Sequence, residues 1–435
     1  MADYDSGDLE AEVLARNFDH HSPEYAAKSW EINKALRNKC PVAHSEKHGG
    51  FWVATTHADV TRIAMDDDTF SSDHDPGGER RGPGFTGILF PEKGPFRQIP
   101  IEMDPPESTS YKRLIMHEFT PGAVSKLRPL VTSFVNACLD RVIESGEMDI
   151  IRDLASPVPA LIAASFLGLP IADWRKYAAP THMMIYAVVG TPEWQKGYEG
   201  IVWINGELQR LIEERRRNPK DDVISRLCNA EIDGVPVPDA NLVNMFSLII
   251  QGGFDTTGAL IAGAMSWLSD HPEERQKLIE DRSLLRNAGE EFLRYITPTQ
   301  LLSRTVTREV EVNGEALKPG DHILVSWASA NQDESVYECP EQVRFDRKKN
   351  NHYAFGVGHH TCMGAAIVRM QWPIVMGAIL DRIPDFKVDH ERTVPYTSKG
   401  VVNGYISMRA TFTPGKKVGG LEELEDIIGV SYNGA

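Results

Sequence analysis

One stretch limits what this chain can fold into more than any other. From about Leu242 to Leu268 the sequence is apolar for about seven turns if helical, and its middle reads "QGGFDTTGAL", residues 251–260. Such a run predicts a buried helix around which the rest of the chain packs. Yet glycine in a helix interior costs about 1 kcal/mol relative to alanine, and a buried, unpaired carboxylate costs far more. Gly252, Gly253, Asp255, Thr256 and Thr257 therefore mark a place where polar groups and close backbone approach are needed mid-helix. The interruptions at Gln251 and Asp255 favour a core helix over a membrane span.

The chain has 435 residues, with no Pro/Ser/Gly linker and no internal repeat. The expected organisation is a flexible polar N-terminus (1–20), one large domain (21–415) and a C-terminal tail (416–435). Within that tail "LEELEDII" could form a short amphipathic helix, but a solvated tail is the main reading. A formal net charge of −16 argues against nucleic acid as the main partner. The cysteines Cys40, Cys138, Cys228, Cys339 and Cys362 are scattered and odd in number, which fits a reducing cytosol better than a disulfide framework. The acidic start "MADYDSGDLEAEV" lacks the basic and apolar regions of a signal peptide. A cytoplasmic protein without a membrane partner is expected.

"GGFWVATTHADVTRIAMDD" reads as a strand followed by a helix. "MDPPESTSYKRLIMHEF" predicts a helix with Asp104 as N-cap, Pro105 in the first turn and Glu107 at capping-box spacing. Amphipathic helical stretches dominate to about residue 295, with a hairpin at "EIDGVPV". Beyond 300, "SRTVTREVEVNG" and "HILVSW" read as strands, with turns at Asn313-Gly314 and Pro319-Gly320. The fold class is mainly α with a smaller β region (α+β).

The loop "FGVGHHTCMG", Phe355 to Gly364, carries the next signal. A lone cysteine is more often a buried small hydrophobe than a ligand. Here Gly356 and Gly358 permit unusual backbone turns, and a helix predicted after Cys362 would favour its thiolate. Gly364 leaves room for a flat cofactor. A zinc site from His352, His359, His360 and Cys362 lacks the paired ligand spacing that such sites use.

Together these residues resemble the cytochrome P-450 family. "FGVGHHTCMG" is similar to its haem-binding signature, with Cys362 as the iron ligand; "GGFDTT" resembles its oxygen-activating helix; "EEFLR" resembles its E-x-x-R motif, giving Glu291 and Arg294. The motifs stand in the family's order over residues 30–412, and "LIEERRRNPKDDVIS" and "RIPDF" are closest to the soluble camphor-hydroxylase-like bacterial branch. The resemblance implies a fold with haem b between the oxygen-activating helix and the helix of the cysteine loop, and O2 as co-substrate. Thiolate ligation favours O–O cleavage. It implies that Gly252 and Gly253 open the helix to haem and oxygen, that Thr256 hydrogen-bonds the bound oxygen, and that Asp255 relays protons. A purely structural reading would pair Asp255 with a distant cation and back-bond Thr256 to a carbonyl. His360, Arg304 and Lys112 would hold the propionates, and Phe355 belongs to the haem loop. The family's D-P-P-x-H-x-x-x-R has Ser108 and Lys112 here, and lysine is a point charge without arginine's fork. Glu291 and Arg294, with Arg344 as third member, would support the cysteine loop. Pro373 should kink the helix after Cys362.

By position, Phe96, Leu248, Gln251, Thr299 and Val401 would line the substrate pocket. Phe96 cannot donate a hydrogen bond to a ketone, whereas Gln251 can meet a carbonyl or a hydroxyl, unless it only satisfies its neighbours. A compact terpenoid or norisoprenoid is expected, with fatty acids and steroids as alternatives. The chain shows no flavin or iron–sulfur domain, so electrons would come from NAD(P)H through a reductase and a 2Fe–2S ferredoxin, with Lys112, Arg113 and Arg369 as basic contacts. A peroxide-driven peroxygenase and a non-catalytic haem sensor or carrier are the alternatives. Neither needs the acid–alcohol pair at 255–256.

Overall fold

The apolar run is a single helix, Asp239–Asp270, in the computed structural model, which describes residues 6–75, 77–78, 80–81, 84–91, 96–188 and 190–429. The chain divides into two units: residues 1–112, 293–362 and 397–403 in the first, and residues 113–292, 363–396 and 404–435 in the second.

In the second unit the long helix packs against helices Pro157–Leu167, Trp174–Tyr186 and Pro192–Arg217. Its apolar positions Leu242, Phe246, Ile250, Leu260, Ile261 and Leu268 are buried, as helical periodicity requires. Among the described residues it is the helix long and apolar enough to cross a membrane, and it is mostly buried inside the protein. Gly258 is where a neighbouring backbone comes closest: a Cβ there would stand 2.7 Å from the Ala155 carbonyl oxygen. Helix Ala365–Arg382 runs uninterrupted through Pro373 and packs against Arg128–Asp140. The expected hairpin pairs Glu231–Ile232 with Val235–Pro236 across Asp233 and Gly234, both with positive φ. A small antiparallel sheet joins Lys387–Val388, Arg409–Thr411 and Glu147–Asp149.

The C-terminal segment differs from the solvated tail expected of it. Glu422–Gly429 is a helix that buries Ile428 completely. Trp174 Nε1 donates to the Ile427 carbonyl (3.2 Å) and Arg175 Nη2 to that of Ile428 (2.8 Å), so side-chain donors cap its last carbonyls.

The first unit is built on a five-stranded sheet in the order Val42–Ser45, Phe51–Ala54, His322–Ser326, Leu301–Val306, Phe70–Ser71. The pairing of Phe51–Ala54 with His322–Ser326 is parallel and the others are antiparallel. Helix His57–Met65, capped by Thr56, covers one face through Val60, Ile63 and Ala64. The start of the chain is also better anchored than its polarity suggests: Ser6–Asn17 is helical, Ala11, Ala15 and Phe18 are buried, and Ser45 Oγ donates to the Phe18 carbonyl at 2.7 Å. Residues 1–5 and 430–435, the ends of the expected flexible termini, lie outside the described residues.

The helix after Asp104 begins at Glu107, later than the capping pattern predicts. Asp104 is not its side-chain cap. Its carboxylate accepts from Ser71 Oγ (2.5 Å) and the Ser72 N–H (2.9 Å) and pairs with Arg81. These charged and backbone donors outcompete a local cap.

Candidate active site

The cysteine loop belongs to the first unit. Gly356 (φ 66°) and Gly358 (φ 81°) both take the left-handed conformation, and a Cβ on Gly358 would stand 2.4 Å from the Ala64 carbonyl oxygen. Only glycine fits there. The loop closes when the Cys362 N–H donates to the Phe355 carbonyl at 2.8 Å. The sulfur-bearing residue is left exposed, whereas Cys138 and Cys228 are buried. Helix Ala365–Arg382 starts three residues further on. On the same unit Arg294 donates to the carbonyls of Asn331, Pro340 and Gln342 at 2.9–3.0 Å, which fixes the segment leading into the loop. Glu291 and Arg294 are both fully buried, one turn apart. Arg344 reaches Glu338 (3.6 Å) and Asp346 (3.4 Å) at the surface.

Beside the loop three cationic or imidazole side chains share one electrostatic environment. Burial, with Arg304, Lys112 and His359 adding to it, pushes His360 down to about 2, so its ring is neutral. Burial pulls Arg304 down to about 10 against Asp67 and Asp104, and lowers Lys112 against Asp67. Asp67 lies 3.9 Å from His360, too far for a hydrogen bond, and a neutral ring gives no ion pair. Among the described residues both His360 ring nitrogens and Arg304 Nε are buried without a hydrogen-bond partner, while Arg304 Nη1 donates to the Ser303 carbonyl at 2.8 Å. Buried donors left in this state need a bound acceptor. The carboxylates of a haem supply one, so the residues fit that group. Among the described residues no three His, Cys, Asp or Glu side chains gather to hold a bare metal ion.

Sequence reasoning met His359 only as a candidate zinc ligand. Its Nε2 hydrogen-bonds Ser108 Oγ at 2.7 Å, and Lys112 Nζ donates to its carbonyl. Both residues that depart from the family pattern in helix Glu107–Ile115 thus bind the loop through one histidine. A histidine in a loop carries no sequence signal of such a role.

The acid and alcohol belong to the second unit. Asp255 is 8 % exposed, and its Oδ1 lies 2.9 Å from His182 Nδ1; its Oδ2 is buried without a partner among the described residues. Tyr396 Oη lies 2.9 Å from the same nitrogen. Burial alone would lower His182, but the charge and hydrogen bond of Asp255 overcome it and hold the imidazole above its usual value. Thr256 Oγ1 donates to the Gly252 carbonyl at 2.8 Å. The paired acid and back-bonded threonine are what a purely structural role would also produce. What sets this helix face apart is Gly252, which is exposed and would meet nothing within 4 Å with a Cβ added. Leu248 and Gln251 lie on the same face, partly buried, and Gln251 Nε2 donates to Ser247 Oγ at 2.9 Å. In the first unit Thr299 bridges Val402 beside Val401, and Phe96 is partly buried. Arg369 is neutralised by Glu290 through two 2.8 Å bonds, while Arg113 is exposed.

A family model described as Cytochrome P-450 matches residues 171–404. The chain is 31 % identical over 377 residues to a linalool 8-monooxygenase of Pseudomonas putida, covering 82 % of this chain and 89 % of that protein. It is 30 % identical over 391 residues to a steroid C26-monooxygenase of Mycolicibacterium smegmatis, covering 89 % and 94 %. The solved structure of Mycobacterium marinum cytochrome P-450 CYP268A2 in complex with pseudoionone superposes with a TM-score of 0.79 at 25 % identity, covering 95 % of this chain and all of that one.

Proposed function

The chain belongs to the cytochrome P-450 family, whose members bind haem b and use O2 for monooxygenation, and on that premise we propose that it oxidises a compact terpenoid or norisoprenoid carrying one oxygen. It is a haem-dependent oxidoreductase. When bound, the haem supplies the activation of O2 for insertion into a C–H bond. The chain's own residues do the rest. In this reading Cys362 would bind the haem iron, and Arg304, His360 and Lys112 would hold the propionates. Thr256 has committed its proton to Gly252, so its oxygen accepts a hydrogen bond. Asp255, one residue away, is the group that would pass the proton on. Electrons reach the enzyme from NAD(P)H through a reductase and a 2Fe–2S ferredoxin in the cytoplasm. The acid–alcohol pair favours this over a peroxide-driven peroxygenase, which needs no proton relay.

One observation carries the substrate class. The Gln251 amide nitrogen gives one N–H to Ser247 Oγ, which leaves its second N–H and the amide carbonyl to meet the substrate. The carbonyl accepts from a hydroxyl and the remaining N–H donates to a ketone, so the amide reads a single substrate oxygen of either kind. Linalool, in the name of one relative, is a terpene alcohol, and pseudoionone, bound by one structural neighbour, is an isoprenoid ketone.

A neutral hydrogen bond contributes roughly 0.5–1.5 kcal/mol net. Gln251→Leu should therefore weaken binding of a terpene alcohol by about threefold to tenfold and leave the matching hydrocarbon unchanged or improved. Spin-state titration of the haem protein measures both. Equal changes in the two affinities would sink the reading of Gln251 as the polar contact.

A further inference from the structure

His182 and Tyr396 belong to none of the motifs read in the sequence, yet they meet at the acid of the active helix. His182 stands on helix Trp174–Tyr186 with its side chain 19 % exposed, so the ring has a path to solvent. Its Nδ1 lies 2.9 Å from Asp255 Oδ1 and 2.9 Å from Tyr396 Oη. That nitrogen carries at most one hydrogen, so it cannot serve both partners fully. As an imidazolium it donates from Nδ1 to the carboxylate. As the neutral ring protonated at Nε2 it accepts from the Tyr396 hydroxyl and turns a lone pair on Asp255.

The surrounding groups leave this choice to His182. Tyr186 packs on the imidazole (ring centroids 5.1 Å) and on Tyr396 (5.8 Å), and Glu193 acts on Tyr186 from the next helix. Burial, then Asp255 and Tyr186, hold the Tyr396 phenol well above its ordinary range, so it stays a neutral donor. Among the described residues Asp255 is the charged group recorded as acting on the imidazole, and it favours the imidazolium.

We propose that His182 is a titratable latch on Asp255: as imidazolium it holds Oδ1, and when it gives the Nδ1 proton to water, Tyr396 takes the nitrogen and the carboxylate is free to carry protons to the Thr256 side of the helix. This rests on the relay reading of Asp255. His182 and Tyr396 are positioning residues that act through it.

The latch is closed at low pH and opens as pH rises through the titration of His182. In the haem-replete enzyme, turnover should rise at least about threefold between about pH 6 and pH 9. His182→Asn keeps a donor at the Nδ1 position but cannot titrate, so its profile should be flat. Tyr396→Phe removes the competing donor and should shift the rise to higher pH. A second readout is independent of activity: a double-mutant cycle between His182→Asn and Asp255→Asn in thermal unfolding. Its coupling should be present at about pH 6 and lost at about pH 9. A wild-type profile in His182→Asn, or a coupling that ignores pH, overturns the latch. If Asp255→Asn turns over like the wild type, the relay reading fails and the latch falls with it. If Asp255→Asn is slow while His182→Asn keeps the wild-type profile, the latch alone is wrong.

Discussion

The Thr256 hydroxyl has one proton, and the Gly252 carbonyl takes it at 2.8 Å. What remains is an oxygen that accepts. Thr256→Ala removes that acceptor without harming the helix, because alanine is the better helix former. NAD(P)H consumption should stay within about a few-fold, while product per NAD(P)H falls and hydrogen peroxide rises. Asp255→Asn should slow consumption itself. Unchanged product yield in Thr256→Ala, measured against peroxide, would refute the role. Cys362 submits to an equally sharp test. Cys138 is fully buried, and burial raises both its thiol and that of Cys228, so neither offers a thiolate. Cys362→Ala should abolish the thiolate-type Soret band of the reduced carbon monoxide complex, and Cys138→Ala or Cys228→Ala should leave it. Cys362, Asp255 and Thr256 stand out in the sequence because each breaks a local rule: a cysteine in a glycine loop, an acid and an alcohol inside an apolar helix. His182, Tyr396 and His359 break none. Their roles come from contacts 73, 214 and 251 positions away, which no spacing rule reaches.

Elements were legible where a periodic pattern and a turn signal agreed. Asp233-Gly234 and Asn313-Gly314 both sit at positive φ in hairpins, as the turn chemistry demands. Element ends were not legible where tertiary partners compete. Asp104 has the spacing of a cap, but Arg81 and the Ser71 and Ser72 donors take its carboxylate. Glu422–Gly429 is short and acidic, and it docks through Ile428 and the donors of Trp174 and Arg175. The glycines of the long helix divide the same way. Gly252 reads as a spacer and indeed borders open space, whereas Gly258 does the close packing, against the Ala155 carbonyl. Gly258→Ala drives a Cβ into rigid backbone and should cost about 1–3 kcal/mol of stability. Gly252→Ala should cost nothing in folding and gain up to about 1 kcal/mol of helix propensity. Denaturant unfolding of the two variants decides the assignment. If they destabilise alike, the open face at Gly252 is not open.

For the whole molecule, the cofactor and the fold share one free energy. Arg304 lies within strand Leu301–Val306, 2 % exposed, with Nε unpartnered among the described residues. Asp67 and Asp104 act on it from a distance, yet burial still pulls it down to about 10. A buried charge without close compensation destabilises a fold by several kcal/mol, and an apolar side chain of similar size in its place is often neutral or stabilising by about 1–4 kcal/mol. The charge therefore makes sense in the protein with its anion bound. Any group that binds the native state alone stabilises it by mass action, about 2.7 kcal/mol at a hundredfold excess over Kd. These two terms predict opposite signs for one substitution. Arg304→Met should raise the unfolding midpoint of haem-free protein, because it removes an uncompensated charge. The same change should lower haem retention and narrow the gap in midpoint between haem-replete and haem-free protein. Thermal unfolding of both preparations, with haem loss to apomyoglobin as a separate readout, measures the two effects independently. A loss of stability in the haem-free protein would mean that Arg304 is satisfied within the fold. Its place as a haem partner would then lose its physical basis.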